Sequence, residues 1–184
     1  MKKFFLATAT MVLTGLFFSA SAGNGKADKE SRKQIRKEKR EIKRELWLHS
    51  VDIATEEQFD YDFPNAKDVT WTRSIFDEAA FADGDIHKVA YYDKDNKLVG
   101  TTTYVDYSVL PAKAKQQISK KYPGYSIDKV ILFDDNEANE TDMHLFNSSF
   151  KDEDTYFPVL SKGSKQIILK VTTGGNVSFF RDYK

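Results

Sequence analysis

The sequence predicts an α+β fold: a helix packed on an antiparallel, roughly four-stranded sheet, occurring twice in tandem and preceded by a charged N-terminal helix. Three observations predict it. Two helical patterns close at Phe63-Pro64 and Tyr122-Pro123, 59 residues apart. Each is followed by several short runs of β-branched and aromatic residues with turn formers between them. A proline-free stretch rich in Lys, Arg and Glu precedes the pair.

The N-terminus reads as a secretory signal over residues 1–22. Lys2 and Lys3 precede a largely apolar stretch from Phe4 to Phe18, and Ala20-Ser21-Ala22 supplies the small-residue pattern for a cut before Gly23. The apolar run falls short of the ~20 residues that a membrane span needs. No transmembrane span is therefore expected after cleavage, and the periplasm or the cell exterior is the expected destination. The chain has no cysteine, which excludes a disulfide scaffold, a thiolate metal site and a cysteine nucleophile. Its 28 basic and 28 acidic residues balance, which argues against nucleic acid as a partner.

Residues 23–49 form a charged helical arm or spacer. Between Lys26 and His49 stand ten Lys/Arg and five acids, and Ile35, Ile42 and Leu46 mark one narrow apolar stripe. Residues 50–184 hold 16 basic and 23 acidic residues, so the charge divides into a basic arm and an acidic body. Weak contact between 26–49 and an anionic cell surface is one reading of the arm. A solvated helix is the other.

Within the body, repeat one spans about 54–109 and repeat two about 110–184. Residues 54–66 carry Phe59 and Phe63 at helical spacing, and Pro64 ends the helix. Strand-like runs follow at 68–75, 79–81, 88–92 and 98–105, with Asp93-Lys94-Asp95-Asn96-Lys97 turning the last two into a hairpin. The second helix covers 110–122, with Ala114, Ile118 and Tyr122 on one face and Pro111 in its first turn. Its strands are expected at 125–133, 155–160, 166–171 and 176–180, with Gly174-Gly175 as a turn and Pro158 marking an edge or bulged strand.

The order of Phe63-Pro64, Val69, Trp71, Leu110-Pro111, Tyr122-Pro123-Gly124-Tyr125, Val130-Ile131, Phe133 and the run from Ile167 to Val177 resembles the PepSY-like, β-lactamase-inhibitor-like family of exported bacterial proteins. The resemblance covers the chain from about Ala54 onward and leaves the charged arm outside. It implies a sheet that presents an open face to a protein target, in a family broadly of unknown function.

Candidate sites follow from what remains. Repeat two is about 20 residues longer than repeat one, and the excess falls within 134–154, which holds eight acids. Asp134, Asp135, Asn136 and Glu137 are candidate calcium ligands, since clustered carboxylates are hard oxygen donors. The EF-hand spacing fails at Ala138 and Asn139, so a solvated acidic loop or an extended hairpin competes. The histidines, His49, His87 and His144, are scattered, and no nucleophile elbow or phosphate loop appears. No enzyme activity and no cofactor are expected. Aromatic residues are the stronger signal: Trp71, Tyr91, Tyr92, Tyr104 and Tyr107 are candidate partner-binding residues, because exposed rings supply binding hot spots, and a two-sided core with cross-strand ring pairs is the competing reading. In adjacent pairs such as Tyr91-Tyr92, alternation sends one ring to each sheet face. The function expected is a non-catalytic exported module engaging a protein or peptide through an open sheet face, with inhibition of an envelope or secreted hydrolase as its sharpest form. The alternative is a structural or cation-buffering envelope protein that uses 134–154.

Overall fold

The structure, a computed structural model, describes residues 25–48 and 50–183; the signal-peptide segment lies outside them. The chain divides into two compact units, Met1–Arg40 and Glu41–Lys184. Most of helix α1 (Gly25–Leu48) belongs to the first. It is polar almost all round, and Ile35, Ile42 and Leu46 stay exposed on it.

The second unit is built on one antiparallel sheet. Helix α2 (Ile53–Asp62) leads into β1 (Lys67–Arg73), β2 (Asp77–Asp83), β3 (Ile86–Tyr92) and β4 (Leu98–Val105). A 3-10 turn (Tyr107–Val109) and helix α3 (Ala112–Lys121) lead into β5 (Ser126–Asp135). A small hairpin of β6 (Met143–Leu145) and β7 (Ser148–Phe150) intervenes before β8 (Thr155–Lys162), β9 (Lys165–Thr172) and β10 (Val177–Asp182). The strand order β1-β2-β3-β4-β5-β8-β9-β10 makes a single eight-stranded sheet, joined at its middle by β4 and β5.

Local chemistry sets the helix ends. The Asp52 side chain accepts from the Ala54 amide, and the helix closes at Phe63, whose N–H returns to the Phe59 carbonyl just before Pro64. Helix α3 ends the same way, with the Tyr122 N–H on the Ile118 carbonyl before Pro123. Pro111 stands at the N-cap of α3, one residue ahead of the position expected for it. Each helix then grips the turn between the last two strands that follow it. The Thr55 hydroxyl donates to Asn96 Oδ1 at 2.7 Å, and Lys113 Nζ donates to Asn176 Oδ1 at 2.8 Å.

Register places both helices on one side. Ala90 pairs with Thr101 and Val105 with Val130, so a single face runs unbroken across β3, β4 and β5. Under α2 this face packs Phe59, Phe81, Tyr92 and two alanines, with Phe59 edge-on to Phe81 at 5.1 Å. Under α3 it packs Leu110, Ala114, Ile118, Leu160, Leu169 and Val171. The opposite face is apolar as well. Tyr91, Val99, Phe133, Phe157, Val159 and Ile168 form its core, and the β6–β7 hairpin lies on them through Met143 and Phe150.

Four bulges shape the sheet. A bulge at Val99 lets Gly100 face Tyr91 while Leu98 faces Tyr92. Both outer strands are also bulged, β1 beside Asp68 at φ 54° and β10 between Phe179 and Arg181. Of the two settings expected for Pro158, an edge or a bulged strand, the edge is not the one found. It sits in β8, between β5 and β9, paired with Val130 of β5 and next to that strand's bulge at Asp128, while the β8–β9 register runs on unshifted from Tyr156–Val171 to Val159–Ile168. A bulge is one of the settings in which a strand pair accommodates a residue without an N–H, and the β5 bulge lies next to this one.

Gly100 is dictated by contact. A Cβ at this position would lie 2.6 Å from the Asp134 carbonyl oxygen and 2.7 Å from the Phe133 ring, neither of which can yield. Gly100→Ala is expected to lower stability by about 1–3 kcal/mol, the usual cost of overpacking. Urea denaturation followed by circular dichroism measures it, and an unchanged midpoint would contradict this packing.

Candidate functional site

On the helix-free side the hairpin covers the half of the sheet around β5, β8 and β9. Beside it, over β1 to β4, lies a groove of about 420 Å³. Its depth follows from residue size. The outward positions of β1 and β2 are small, Thr70, Ala80 and Ala82, so the floor is low. Tyr104 from β4 and Leu145 and Phe146 from the hairpin end stand taller beside it. Val89, Tyr91 and Ile131 form the apolar base between, and His87 and Asp68 belong to the lining too.

A cation borders this groove. Lys129 Nζ lies 5.4 Å from the Tyr104 ring centre and 5.2 Å from that of Tyr183, and donates to the Tyr183 hydroxyl at 3.2 Å. The hydrogen bond with Tyr183 holds the ammonium above its ordinary pKa, against the opposing pull of burial. The site therefore offers an apolar depression next to a fixed positive charge. That suits binding an apolar side chain beside a carboxylate.

The candidate aromatic residues divide by face. Tyr104 is 64% exposed and stands at the groove. Tyr91 points to the same side but is only 7% exposed, its hydroxyl 3.1 Å from that of Thr102, and burial pushes its pKa up to about 12. Tyr92 is fully buried on the helix side and donates to Asp62 Oδ2 at 2.9 Å. Trp71 packs edge-on against Phe59 on that helix side, and Tyr107 packs on the core beneath α3. The structure thus brings two of the five together at the groove. Thr70, Ala80, Ala82, Lys129 and Phe146 escaped the sequence reading. Small residues and a lysine carry no aromatic signal, and Phe146 lay in a segment noticed for its acids.

The acidic segment 134–154 is a hairpin held down by its apolar underside. Asn136 donates to the Leu98 carbonyl at 2.7 Å, and buried Asn139 donates to Asp93 Oδ2 at 3.0 Å, tying the segment to the β3–β4 turn. Burial would raise the Asp93 pKa, but the Lys97 and Asp95 amides and the Asn139 carboxamide outweigh it and hold it low. The four candidate calcium ligands do not act together: Asn136 is spent on backbone groups, and Glu137 is exposed. Among the described residues no three His, Asp or Glu side chains converge to hold a metal ion. At the root of the hairpin, burial pushes the Asp135 carboxyl up to about 7, helped by a hydrogen bond with Asp152 and by the charges of Asp152, Asp154 and Glu137. Asp134 is raised as well, by burial and then by Asp154 and Glu137, with Lys88 opposing.

These placements separate core from surface among the tyrosines. Tyr91→Ala is expected to cost about 3–5 kcal/mol of stability, as large-to-small changes in a core do. Tyr104→Ala is expected to stay within about 0.5 kcal/mol. Thermal melts of the two variants check this, and equal losses would mean that Tyr104 is not a surface ring.

No protein-family model matches the sequence, and no curated protein matches it in sequence. Solved structures do match its fold. A BLIP-like protein from Bacteroides fragilis is 16% identical with a TM-score of 0.54, over 72% of this chain and 86% of that one. A DUF2874 family protein from Bacteroides uniformis is 12% identical with a TM-score of 0.60, over 72% and 90%. A protein from Bacteroides eggerthii with a provisional periplasmic description is 12% identical with a TM-score of 0.58, over 73% and 88%. The chain has the α+β architecture that these BLIP-like and DUF2874 structures share, the fold implied by its sequence resemblance.

Proposed function

We propose that this chain is an exported, non-catalytic binding module that holds a protein or peptide against the helix-free face of its sheet. The partner places an apolar side chain in the groove between Tyr104 and Phe146 and a carboxylate near Lys129. The groove carries this reading. It combines a floor of small residues, an exposed ring and a fixed cation on the face that both helices leave clear. The signal-like segment 1–22 and the fold likeness to a provisionally periplasmic protein support a periplasmic or secreted location. The likeness to a BLIP-like protein supports a protein as the partner, and inhibition of an envelope or secreted hydrolase is the sharpest form of the proposal. In the same reading the body, 50–184, is a tandem repeat, which the matching helix-to-turn contacts at Asn96 and Asn176 support. The charged arm adds weak contact with an anionic cell surface. The cation-buffering alternative lacks a converging ligand set among the described residues.

Displayed peptide libraries panned on the purified protein are expected to yield sequences with an aromatic or aliphatic residue next to Asp or Glu. By isothermal titration calorimetry, Ala82→Trp, which fills the groove, is expected to weaken the selected peptides at least about tenfold, a loss of ~1.4 kcal/mol. Lys129→Gln is expected to weaken acidic peptides only. Peptides that bind Ala82→Trp and the natural protein equally would place the site elsewhere.

A further inference from the structure

We propose that helix α1 pairs side by side and in parallel with α1 of a second copy, so that the chain is a dimer joined at its N-terminal arms. The pairing does not rest on the groove. Its consequence does: two grooves in one particle favour a partner that presents its binding segment more than once.

Helix α1 sorts its charges by sign. At about 100° per residue, the eight Lys and Arg between Arg32 and Trp47 fall within an arc of about 160°. Glu38, Glu41 and Glu45 fall within about 60° on the other side. In the wider gap between these arcs run Ile35, Ile42 and Leu46, within about 40° of one another. They are 49%, 58% and 68% exposed. Trp47, the next residue, points about 100° away from Leu46, and the Arg73 guanidinium lies 5.8 Å from its ring centre. The last turn is thus held on a side that leaves Leu46 clear.

The spacing says what the stripe fits. Ile35, Ile42 and Leu46 stand at d, d and a of a heptad, with Lys39 at the intervening a. A stripe this narrow suits a single facing helix, whereas a helix that packs on a globular core needs an apolar face at least about 100° wide. The Lys39 stem lies along such a seam with its ammonium turned outward. A cation at one a position costs stability and holds the assembly to a defined register and number of chains.

The edges of the stripe choose the partner and its direction. Glu38 and Glu45 occupy g, on one edge, and Arg36 and Lys43 occupy e, on the other. Parallel helices set g of each against e of the other, so Glu38 of each copy meets Lys43 of its mate. Antiparallel helices would set Glu against Glu and cation against cation. A second copy running in the same sense therefore complements α1, and an inverted one does not. A lipid surface fits less well, because seating the stripe in it brings Glu38 and Glu45 to the headgroups along with the lysines. The outer side of the basic arc takes no part in the pairing and still faces solvent.

Sedimentation equilibrium of the chain from Gly23 on, the form expected after export, tests this. The mass is expected to rise with concentration from one chain to two and no further. Ile42→Gln is expected to raise the dissociation constant at least about tenfold. Glu38→Lys is expected to raise it about fivefold, and Glu38→Lys together with Lys43→Glu to restore it. These residues are exposed on α1, and circular dichroism checks that each variant keeps its fold. The chain has no cysteine, so Leu46→Cys reports direction. In a parallel pair the two sulfurs meet at one level of the seam, and oxidation is expected to link the copies at least about tenfold faster than with Arg44→Cys on the outer side. A mass of one chain at every concentration, or a dimer indifferent to Ile42→Gln, would overturn the pairing. So would equal linking by the two cysteine variants, or a double charge reversal that restores nothing. Flotation with phosphatidylglycerol vesicles that Ile42→Gln abolishes would also overturn it, and would give the stripe to a lipid surface. None of these readings involves a peptide in the groove, so the pairing and the binding proposal fail separately.

Discussion

The structure depends on one constraint: an eight-stranded sheet with apolar residues on both faces must cover both, and its two helices can cover only one. The unbroken register from β3 to β5 commits α2 and α3 to the same side. Everything on the other side follows from that commitment. The chain meets the need with an insertion in its second half, whose Met143, Phe146 and Phe150 lie on Phe133, Phe157 and Phe180. Its first half has no such cover and compensates with Thr70, Ala80 and Ala82, which expose little apolar area themselves. A groove is what remains where small residues border a covered region.

Much of this was legible in the sequence because it is local. Helix ends at Phe63-Pro64 and Tyr122-Pro123 come from proline geometry, and the turns at 93–97 and 174–175 from side-chain capping and a positive φ. Asp93 Oδ1, for instance, accepts the Asp95 and Lys97 amides. The alternation that parts Tyr91 from Tyr92 was legible for the same reason. What was not legible is long-range. For 134–154 the sequence offers a solvated acidic loop or an extended hairpin; a hairpin forms, but nothing local tells that its few apolar residues lie on the sheet. Alternation sends Tyr91 to the helix-free face but does not tell that segments distant in sequence bury it there. Nor does a lysine at position 129 announce that two tyrosines will flank it.

The two halves use one scheme with different fillings. In each, a helix grips the final turn of its own four strands, through Thr55 to Asn96 and through Lys113 to Asn176. Those contacts lock helix to sheet within a half, while β4 and β5 lock half to half. Asn136 and Asn139 then cross between halves, from the insertion to Leu98 and Asp93. The halves differ on the helix-free face, where the second carries the β6–β7 hairpin and the first the groove. That is also where a surface is free to acquire a partner.

The bulged outer strands have a consequence of their own. β1 turns through a left-handed Asp68, and β10 slips register beside Phe180, so neither rim offers the straight row of amides and carbonyls that an incoming strand requires. The sheet is thereby blunted at both ends. Addition of a ninth strand, from a neighbouring copy or an extended peptide, is disfavoured at either rim. Both rims thus resist strand addition, and the broad helix-free face is left as the less guarded surface.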